Sequence, residues 1–226
     1  MYKYETHLHT YPVSGCAKAD VRESLEFYKS LGYDGVFITN HFLDGNINVD
    51  RSLSYAEKIE FYFSDCEDGA RIGTEIGLKV FGGVELSYKG TDFLIYGLGK
   101  EWFLSHPEIM DMEKSKELPY LRENGALVIQ AHPFREDFYI DHVRLYPSCV
   151  DGLEVLNANR RDRENKMAML YADEYGFCKT AGSDNHLGSK QVKLAGISTE
   201  TPISDERDFI SRVKGGQVTI FSMENK

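Results

Sequence analysis

The residues that could do chemistry in this chain are histidines and carboxylates at short, regular spacing. His7 and His9 are two residues apart, and in extended backbone such residues point to the same side, so both imidazoles can reach one ion. Asp184 and His186 repeat this spacing with one oxygen donor and one imidazole. Either pair alone could be two solvent-facing polar residues. Together they indicate a metal site with mixed nitrogen and oxygen donors, which suits zinc, manganese or iron better than calcium.

Three further candidates stand directly after apolar runs. These are His41, Glu85 and His132. A buried carboxylate without a partner is very costly, so Glu85 predicts a metal or another cation beside it. A capping or core histidine would give the same local pattern as His41 or His132. His106 and His142 lie in polar stretches that flank helices, and we assign them no role.

Two arginines are placed to meet an anion. Arg135 follows His132 by three residues, and Arg160 precedes a predicted helix, where backbone N–H groups also favour anions. A guanidinium matches a phosphate in a bidentate manner. The alternative for each is a surface arginine. We predict that both bind an anionic group of a substrate, for which phosphate is a candidate.

Short apolar runs alternate with amphipathic stretches along the chain. The candidate strands are Tyr2–His7, Gly35–Thr39, Lys79–Val84, Phe93–Tyr96, Ala126–Gln130, Gly152–Leu156, Lys179–Ala181 and Gln217–Ile220. The candidate helices are one capped by Asp20 and ended by Gly32, and those at about Ser52–Asp68, Glu108–Asn124, Arg161–Tyr175 and Ser204–Val213. This alternation predicts parallel strands with right-handed crossovers, closed into a barrel, with a doubly wound sheet as the alternative. In both architectures the reactive residues lie after the carboxyl ends of the strands.

Composition excludes several classes of protein. The chain has 226 residues, of which 42% are hydrophobic and 27% charged, with a net charge of −10. We expect a globular protein that does not bind long nucleic acids, which require a basic surface, whereas nucleotides stay open as ligands. No apolar run approaches the ~20 residues that span a bilayer. The four cysteines show no C-x-x-C pairing and Met1–Glu5 shows no signal core, so we expect reduced thiols and a cytoplasmic location.

The order of the motifs resembles the PHP family, named after its polymerase-associated and histidinol phosphatase members. The matching segments are THLHT at Thr6–Thr10, ITNH at Ile38–His41, GVE at Gly83–Glu85, AHPFR at Ala131–Arg135, LEVLNANR at Leu153–Arg160 and AGSDNH at Ala181–His186. They cover nearly the whole chain. The resemblance implies a single domain over residues 1–226 with a distorted seven-stranded β/α barrel. It also implies two or three divalent metal ions and hydrolysis of phosphoesters through a metal-activated water.

The resemblance assigns the metal ligands to three overlapping groups. These are His7, His9, Glu85 and Asp184 for the first ion, Glu85 and His132 for the second, and His41 and His186 for the third. It implies catalytic roles for Glu85, Asp184 and His186, with His9 or His186 as the candidate proton donor.

Three positions depart from the family pattern. Asp92 stands where many members have a histidine, so it is a further candidate ligand. The stretch Ser14-Gly15-Cys16 lacks the Asp or His that many members use for a third metal. Cys16 or Asp20 could substitute, although Asp20 already has the place of a helix cap. Asn40 replaces the Asp that usually precedes the histidine of the second motif.

Three functions follow as hypotheses. The first is hydrolysis of a small phosphorylated metabolite, as in histidinol phosphatases. The second is a nucleotide phosphoesterase or exonuclease-type activity, which is also found in the family. The third is a non-catalytic metal-binding domain with a regulatory role, which the intact set of ligands disfavours.

Overall fold

The computed structural model describes residues 1–225, and within this range nine strands form one mixed sheet. The strands are β1 (Tyr2–Leu8), β2 (Gly35–Ile38), β3 (Lys79–Tyr88), β4 (Thr91–Tyr96), β5 (Leu127–Ala131), β6 (Gly152–Asn157), β7 (Cys178–Gly182), β8 (Lys193–Thr199) and β9 (Thr219–Glu224). Their order across the sheet is β7-β6-β5-β4-β3-β2-β1-β8-β9. The expected α/β class is therefore confirmed, with nine strands where the sequence pattern predicted eight and the resemblance implied a barrel of seven.

The sheet curls until β7 approaches β1 and β8, which nearly closes it into a barrel. Leu8 forms an isolated bridge with Asn185, and the Thr6 hydroxyl donates to the carbonyl of Ala181 at 2.8 Å. Gly182 is required at this seam, because a Cβ there would lie 2.5 Å from the Cβ of His7. The closure brings His7 against the ends of β6 and β7.

The expectation that all strands run parallel is wrong. The pairs β1–β2, β2–β3, β5–β6 and β6–β7 are parallel, whereas β3–β4, β4–β5, β1–β8 and β8–β9 are antiparallel. The β3–β4 connection shows the reason. Lys89 and Gly90 both have positive φ, at 52° and 81°, as in a two-residue hairpin turn. A parallel crossover needs a dozen residues or more, so this connection can only be antiparallel.

Six α-helices lie within the described residues. They are α1 (Val21–Ser30), α2 (Tyr55–Ile76), α3 (Lys100–Ser105), α4 (Lys114–Glu123), α5 (Asp162–Tyr175) and α6 (Glu206–Lys214), with 3₁₀ turns at Pro107–Asp111 and Gly188–Lys190. Asp20 caps α1 as predicted, accepting from the backbone N–H of Glu23 at 2.9 Å. The single helix predicted over Glu108–Asn124 is wrong, because a 3₁₀ turn precedes α4 and the two are separate.

Helix α2 extends eight residues beyond its predicted end at Asp68. Gly69 and Gly73 would weaken an isolated helix. Here they allow close packing, since a Cβ on Gly73 would lie 2.5 Å from the carbonyl oxygen of Leu78. The helix ends at Gly77, which has left-handed backbone.

An aromatic cluster fixes the barrel strands relative to one another. The ring of Phe37 on β2 lies 4.6 Å from that of Phe81 on β3 and 4.3 Å from that of Phe209 on α6. Tyr96 packs edge-on against Phe37 and donates its hydroxyl proton to the carbonyl of Thr6 at 2.8 Å. This packing holds β1 to β4, and with them the residues at their ends.

Candidate metal centre

The ring of His7 is oriented by a carboxylate behind it. Its Nδ1 lies 2.9 Å from Oε1 of the buried Glu154, and because a carboxylate only accepts, Nδ1 carries the proton. The lone pair of Nε2 therefore faces the carboxylate of Glu85, whose Oε1 is 3.1 Å away. Two lone pairs at this distance repel each other unless a cation or a proton lies between them.

His9 is oriented in the same way by a hydroxyl. The Ser14 hydroxyl donates to Oδ1 of Asn40 at 2.9 Å, so it must accept from Nδ1–H of His9 at 3.0 Å. Nε2 of His9 then faces Asp184 Oδ1 at 3.4 Å and lies 3.1 Å from Nε2 of His7. Asn40, which replaces the usual Asp of the family, thus positions a ligand through Ser14.

Glu85 is the centre of the cluster and is fully buried. Within the described part of the chain, neither of its oxygens has a hydrogen-bond partner. His41 Nδ1 lies only 2.7 Å from Oε2, but the pair lacks hydrogen-bond geometry and Nδ1 is also without a partner. Burial opposes the charge on Glu85, yet the imidazoles of His41, His7 and His9 hold its pKa well below the usual range. A buried carboxylate so placed requires a cation.

His132 and Asp184 are held in strained backbone at the same centre. Their φ angles are 28° and 53°, values that residues other than glycine rarely adopt. Such strain clusters at functional sites. Nε2 of His132 lies 3.6 Å from Glu85 Oε1, and the carbonyl of Asp184 accepts from Nδ1–H of His186 at 2.9 Å.

The structure brings all seven predicted ligands into one cluster. Three groups have ligating atoms within 4.8 Å of one another: His7, Glu85 and His132; His7, His9 and Asp184; and His9, His41 and His186. The unpartnered Glu85 and the oriented lone pairs fit a divalent metal, and the donor set is that of zinc, manganese or iron. The division of these ligands among individual ions stays a prediction.

Asp92 and Arg135 form a pair at the edge of the cluster. Asp92 is buried, and its Oδ2 lies 3.0 Å from Arg135 Nη1 but 3.8 Å from Nε2 of His132. Burial, and next the charge of Glu85, raise the pKa of Asp92. The contacts make Asp92 first a partner of the arginine, and its role as a metal ligand stays a prediction.

Arg135 and Arg160 line the cavity that leads to the cluster. This cavity has a volume of about 460 Å³, and His41, His132 and His186 also line it. Within the described residues, Nε of each arginine is buried without a hydrogen-bond partner. Both therefore retain donors for an anion.

Cys16 lines the same cavity, whereas Asp20 does not. Burial opposes ionisation of Cys16, but the neighbouring imidazoles of His186 and His41 outweigh burial and lower the pKa of the thiol to about 6. Asp20 is exposed and serves as the cap of α1. Of the two substitutes considered for the third site, the structure places only Cys16 beside it.

Two buried carboxylates escaped the prediction from sequence. Glu154 orients His7, and Glu5 accepts from the backbone N–H groups of His7 and Ser183 at 2.8 and 2.9 Å. Desolvation raises the pKa of Glu5 to about 7. Both glutamates lie inside strands. Glu154 belongs to the LEVLNANR segment, in which the sequence analysis assigned a role only to Arg160. His106, for which no role was predicted, stacks on Trp102 with a centroid distance of 4.2 Å.

The fold and this cluster define an α/β barrel with a candidate metal centre. A family model described as PHP-associated matches residues 162–218, a segment that includes Asp184 and His186. An uncharacterised protein of Methanocaldococcus jannaschii is 28% identical over 125 residues, which are 50% of this chain and 53% of that protein. The chain thus spans about half the length of this curated relative.

Solved structures share the fold at low identity. A two-domain protein of Bacteroides vulgatus, containing a predicted PHP-like metal-dependent phosphoesterase, superposes with a TM-score of 0.69 at 11% identity, covering 97% of this chain and 64% of that one. A presumed metal-dependent phosphoesterase of Bifidobacterium adolescentis gives 0.55 at 14% identity, covering 83% and 88%. The matched segment and the shared fold support the resemblance to the PHP family. No helix of the described part is both long and apolar enough to cross a membrane.

Proposed function

We propose that the chain is a metal-dependent phosphoesterase that hydrolyses a monoester of a small phosphorylated metabolite. The observation that carries this proposal is one cavity lined by two complementary groups of residues. The unpartnered, buried Glu85 and the imidazoles beside it line this cavity, and so do Arg135 and Arg160, whose Nε–H donors are unused. The first group fits divalent cations and the second fits a phosphate.

The ligands would be His7, His9, Glu85, His132 and Asp184 for two ions, with His41 and His186 for a third. The chemistry that divalent cations supply in such a donor set is neutralisation of phosphoryl charge and a lowered pKa for water. The protein's own contribution is to fix the donors before substrate arrives, because Glu154 and Ser14 set the tautomers of the two central histidines.

His186 can hold a proton for the leaving group. Its Nδ1–H is used by the carbonyl of Asp184, so Nε2 is the titrating atom. Burial lowers its pKa, but Cys16 and Asp184 outweigh burial and raise it. His9 is fully buried, and burial holds its pKa well below the usual range, which makes it the poorer proton donor. His186 serves in this way only while it does not bind a metal.

The arginines would orient the phosphate. Arg135 is fixed by Asp92 at 3.0 Å and lies 5.4 Å from the ring of Tyr139, so its guanidinium loses little entropy when an anion binds. Arg160 has no comparable carboxylate partner among the described residues, which leaves more of its donors for substrate. A monoester dianion suits two such groups, and a net charge of −10 disfavours a long polynucleotide.

A nucleotide substrate is the second candidate. Tyr139 lines the cavity, and the adjacent Phe138 is 97% exposed. An aromatic pair at the mouth of a phosphate site could stack against a base. The exonuclease-type activity considered above is the form of this candidate for longer substrates. A cytoplasmic location, where such metabolites and nucleotides occur, stays part of the proposal.

The test uses the purified chain, stripped with a chelator and reconstituted separately with zinc, manganese or iron(II). We expect at least two ions per chain by elemental analysis, together with hydrolysis of p-nitrophenyl phosphate. Hydrolysis of bis-p-nitrophenyl phosphate instead would indicate a diesterase, and preference for nucleotides in a substrate panel would favour the second candidate. A protein that binds metal but cleaves none of these substrates would be the non-catalytic domain, and the proposal would be wrong.

A further inference from the structure

The third group of imidazoles lacks an anionic ligand of its own. His9, His41 and His186 offer three neutral nitrogen donors within 4.8 Å of one another. Structural and catalytic metal sites in proteins commonly include a carboxylate or a thiolate beside histidines. In the loop where a carboxylate or histidine would be expected, the chain has Cys16, which lines the same cavity as His41 and His186.

Backbone hydrogen bonds fix the loop of Cys16 to both histidine-bearing segments. The N–H of Gly15 donates to the carbonyl of Asn46, five residues after His41, at 2.8 Å. The N–H of Lys18 donates to the carbonyl of His186 itself, also at 2.8 Å. Cys16 is thus held between two attachments, one toward each histidine. The backbone therefore fixes the position of Cys16, and its side chain is too short to move far from it.

The carboxylate beside His41 needs a cation. Glu85 is fully buried, has no hydrogen-bond partner among the described residues, and lies 2.7 Å from His41 Nδ1, which also has none. The other three cysteines lie in other surroundings: Cys66 on α2, Cys149 in the loop before β6, and Cys178 at the start of β7. Their thiols provide matched controls.

Building on the proposed function, we propose that Cys16 binds the third metal ion as a thiolate, together with His41 and His186, the two histidines that the first two ions do not use. The site then has nitrogen and sulfur donors, unlike the nitrogen and oxygen donors of the first two ions. A thiolate favours zinc over manganese, so this position selects a softer metal than its neighbours. The same ion would bind His186, which then no longer serves as a proton donor.

Cobalt(II) provides a direct test, because a thiolate ligand gives a charge-transfer absorption in the near ultraviolet that imidazoles and carboxylates do not give. Reconstitution of the wild-type protein should produce this band. Cys16→Ser should remove it and lower the zinc content by about one equivalent per chain. Cys149→Ser should retain both the band and the zinc. Cys16→Asp should restore the zinc equivalent without the band, since a carboxylate is also a zinc ligand.

A second readout does not require a variant. Bound zinc should protect one thiol of the wild-type protein from a thiol-reactive disulfide reagent, and chelation should expose it, with Cys16 identified by peptide mapping. Cobalt bound without a thiolate band, or a Cys16 that reacts equally in the zinc-loaded and metal-free protein, would overturn this inference and leave the proposed function intact. Failure to bind any metal would overturn both.

Discussion

Glu154→Gln tests whether the buried carboxylate behind His7 tunes metal binding. The carboxylate accepts three hydrogen bonds, from His7 Nδ1 at 2.9 Å, the backbone N–H of His132 at 3.0 Å and Asn157 Nδ2 at 2.9 Å. Glutamine has nearly the same shape but only one accepting oxygen. Its NH₂ group must face either the proton of His7 or two other donors.

Either orientation weakens the site. If the amide NH₂ faces His7, the ring must move its proton to Nε2, the nitrogen that would bind metal. If the NH₂ group faces the other way, the backbone N–H of His132 and Nδ2 of Asn157 lose their acceptor and lie against another donor group instead. Removing such a supporting group commonly costs about 10- to 100-fold in metal affinity, which corresponds to roughly 1.4 to 2.7 kcal/mol.

The assay is zinc binding in competition with a chromophoric chelator. Glu174→Gln is the matched control, because Glu174 is exposed on α5 and outside the cluster. Circular dichroism of the metal-free variants would show that both are folded. An affinity of Glu154→Gln equal to that of wild type would refute the reasoning that the tautomer of His7 is set by this carboxylate.

Three further results are expected. Glu85→Gln and Asp184→Asn should each abolish turnover with the fold retained, since each removes a charged ligand; activity near that of wild type would place the site elsewhere. Arg160→Ala should raise KM strongly with unchanged metal content, and Arg160→Lys should recover only part of the loss. Arg163→Ala, at an exposed position of α5, is the control. Kinetics of Arg160→Ala equal to those of wild type would assign Arg160 to the surface. Burial raises the pKa of Glu5 from its ordinary value of 4.5 to about 7 in the folded protein. The folded state therefore binds more protons in that window, and the stability of the metal-free protein should fall as pH rises through it, by on the order of 3 kcal/mol. Glu5→Gln should flatten that slope in denaturation measured across pH, and an unchanged slope would contradict the assignment.

Most of the candidate ligands could be predicted from sequence because they stand at or near the end of an apolar run. His41 follows β2 and His132 follows β5, whereas Glu85 lies within β3, which continues to Tyr88. The fold brings these three positions together. The direction of the strands was harder to predict from the sequence. Alternating apolar residues reveal a strand but not its orientation, and β8, with Gly196 and Ser198 in its short run, lacked the apolar pattern that predicted the others.

Glu5 and Glu154 could not be predicted for a related reason. Inside a strand, a glutamate between apolar residues is typical of a solvent-facing position. Only the near-closure of the sheet, with β7 drawn against β1 at Gly182, turns these two positions inward behind His7. The local sequence does not encode this contact between segments that are more than 140 residues apart.

The buried charges explain how so acidic a protein could bind a phosphate. Glu5, Glu85, Asp92, Glu154 and Asp184 are all buried near one point, and Arg135 balances Asp92 directly. Without cations this region would repel a phosphate dianion. Two or three divalent ions would reverse the local field, which the net charge of −10 does not reveal. The cluster of carboxylates would hold the cations that make the loaded site positive. We therefore expect that removal of the metal weakens substrate binding more than substitution of either arginine does.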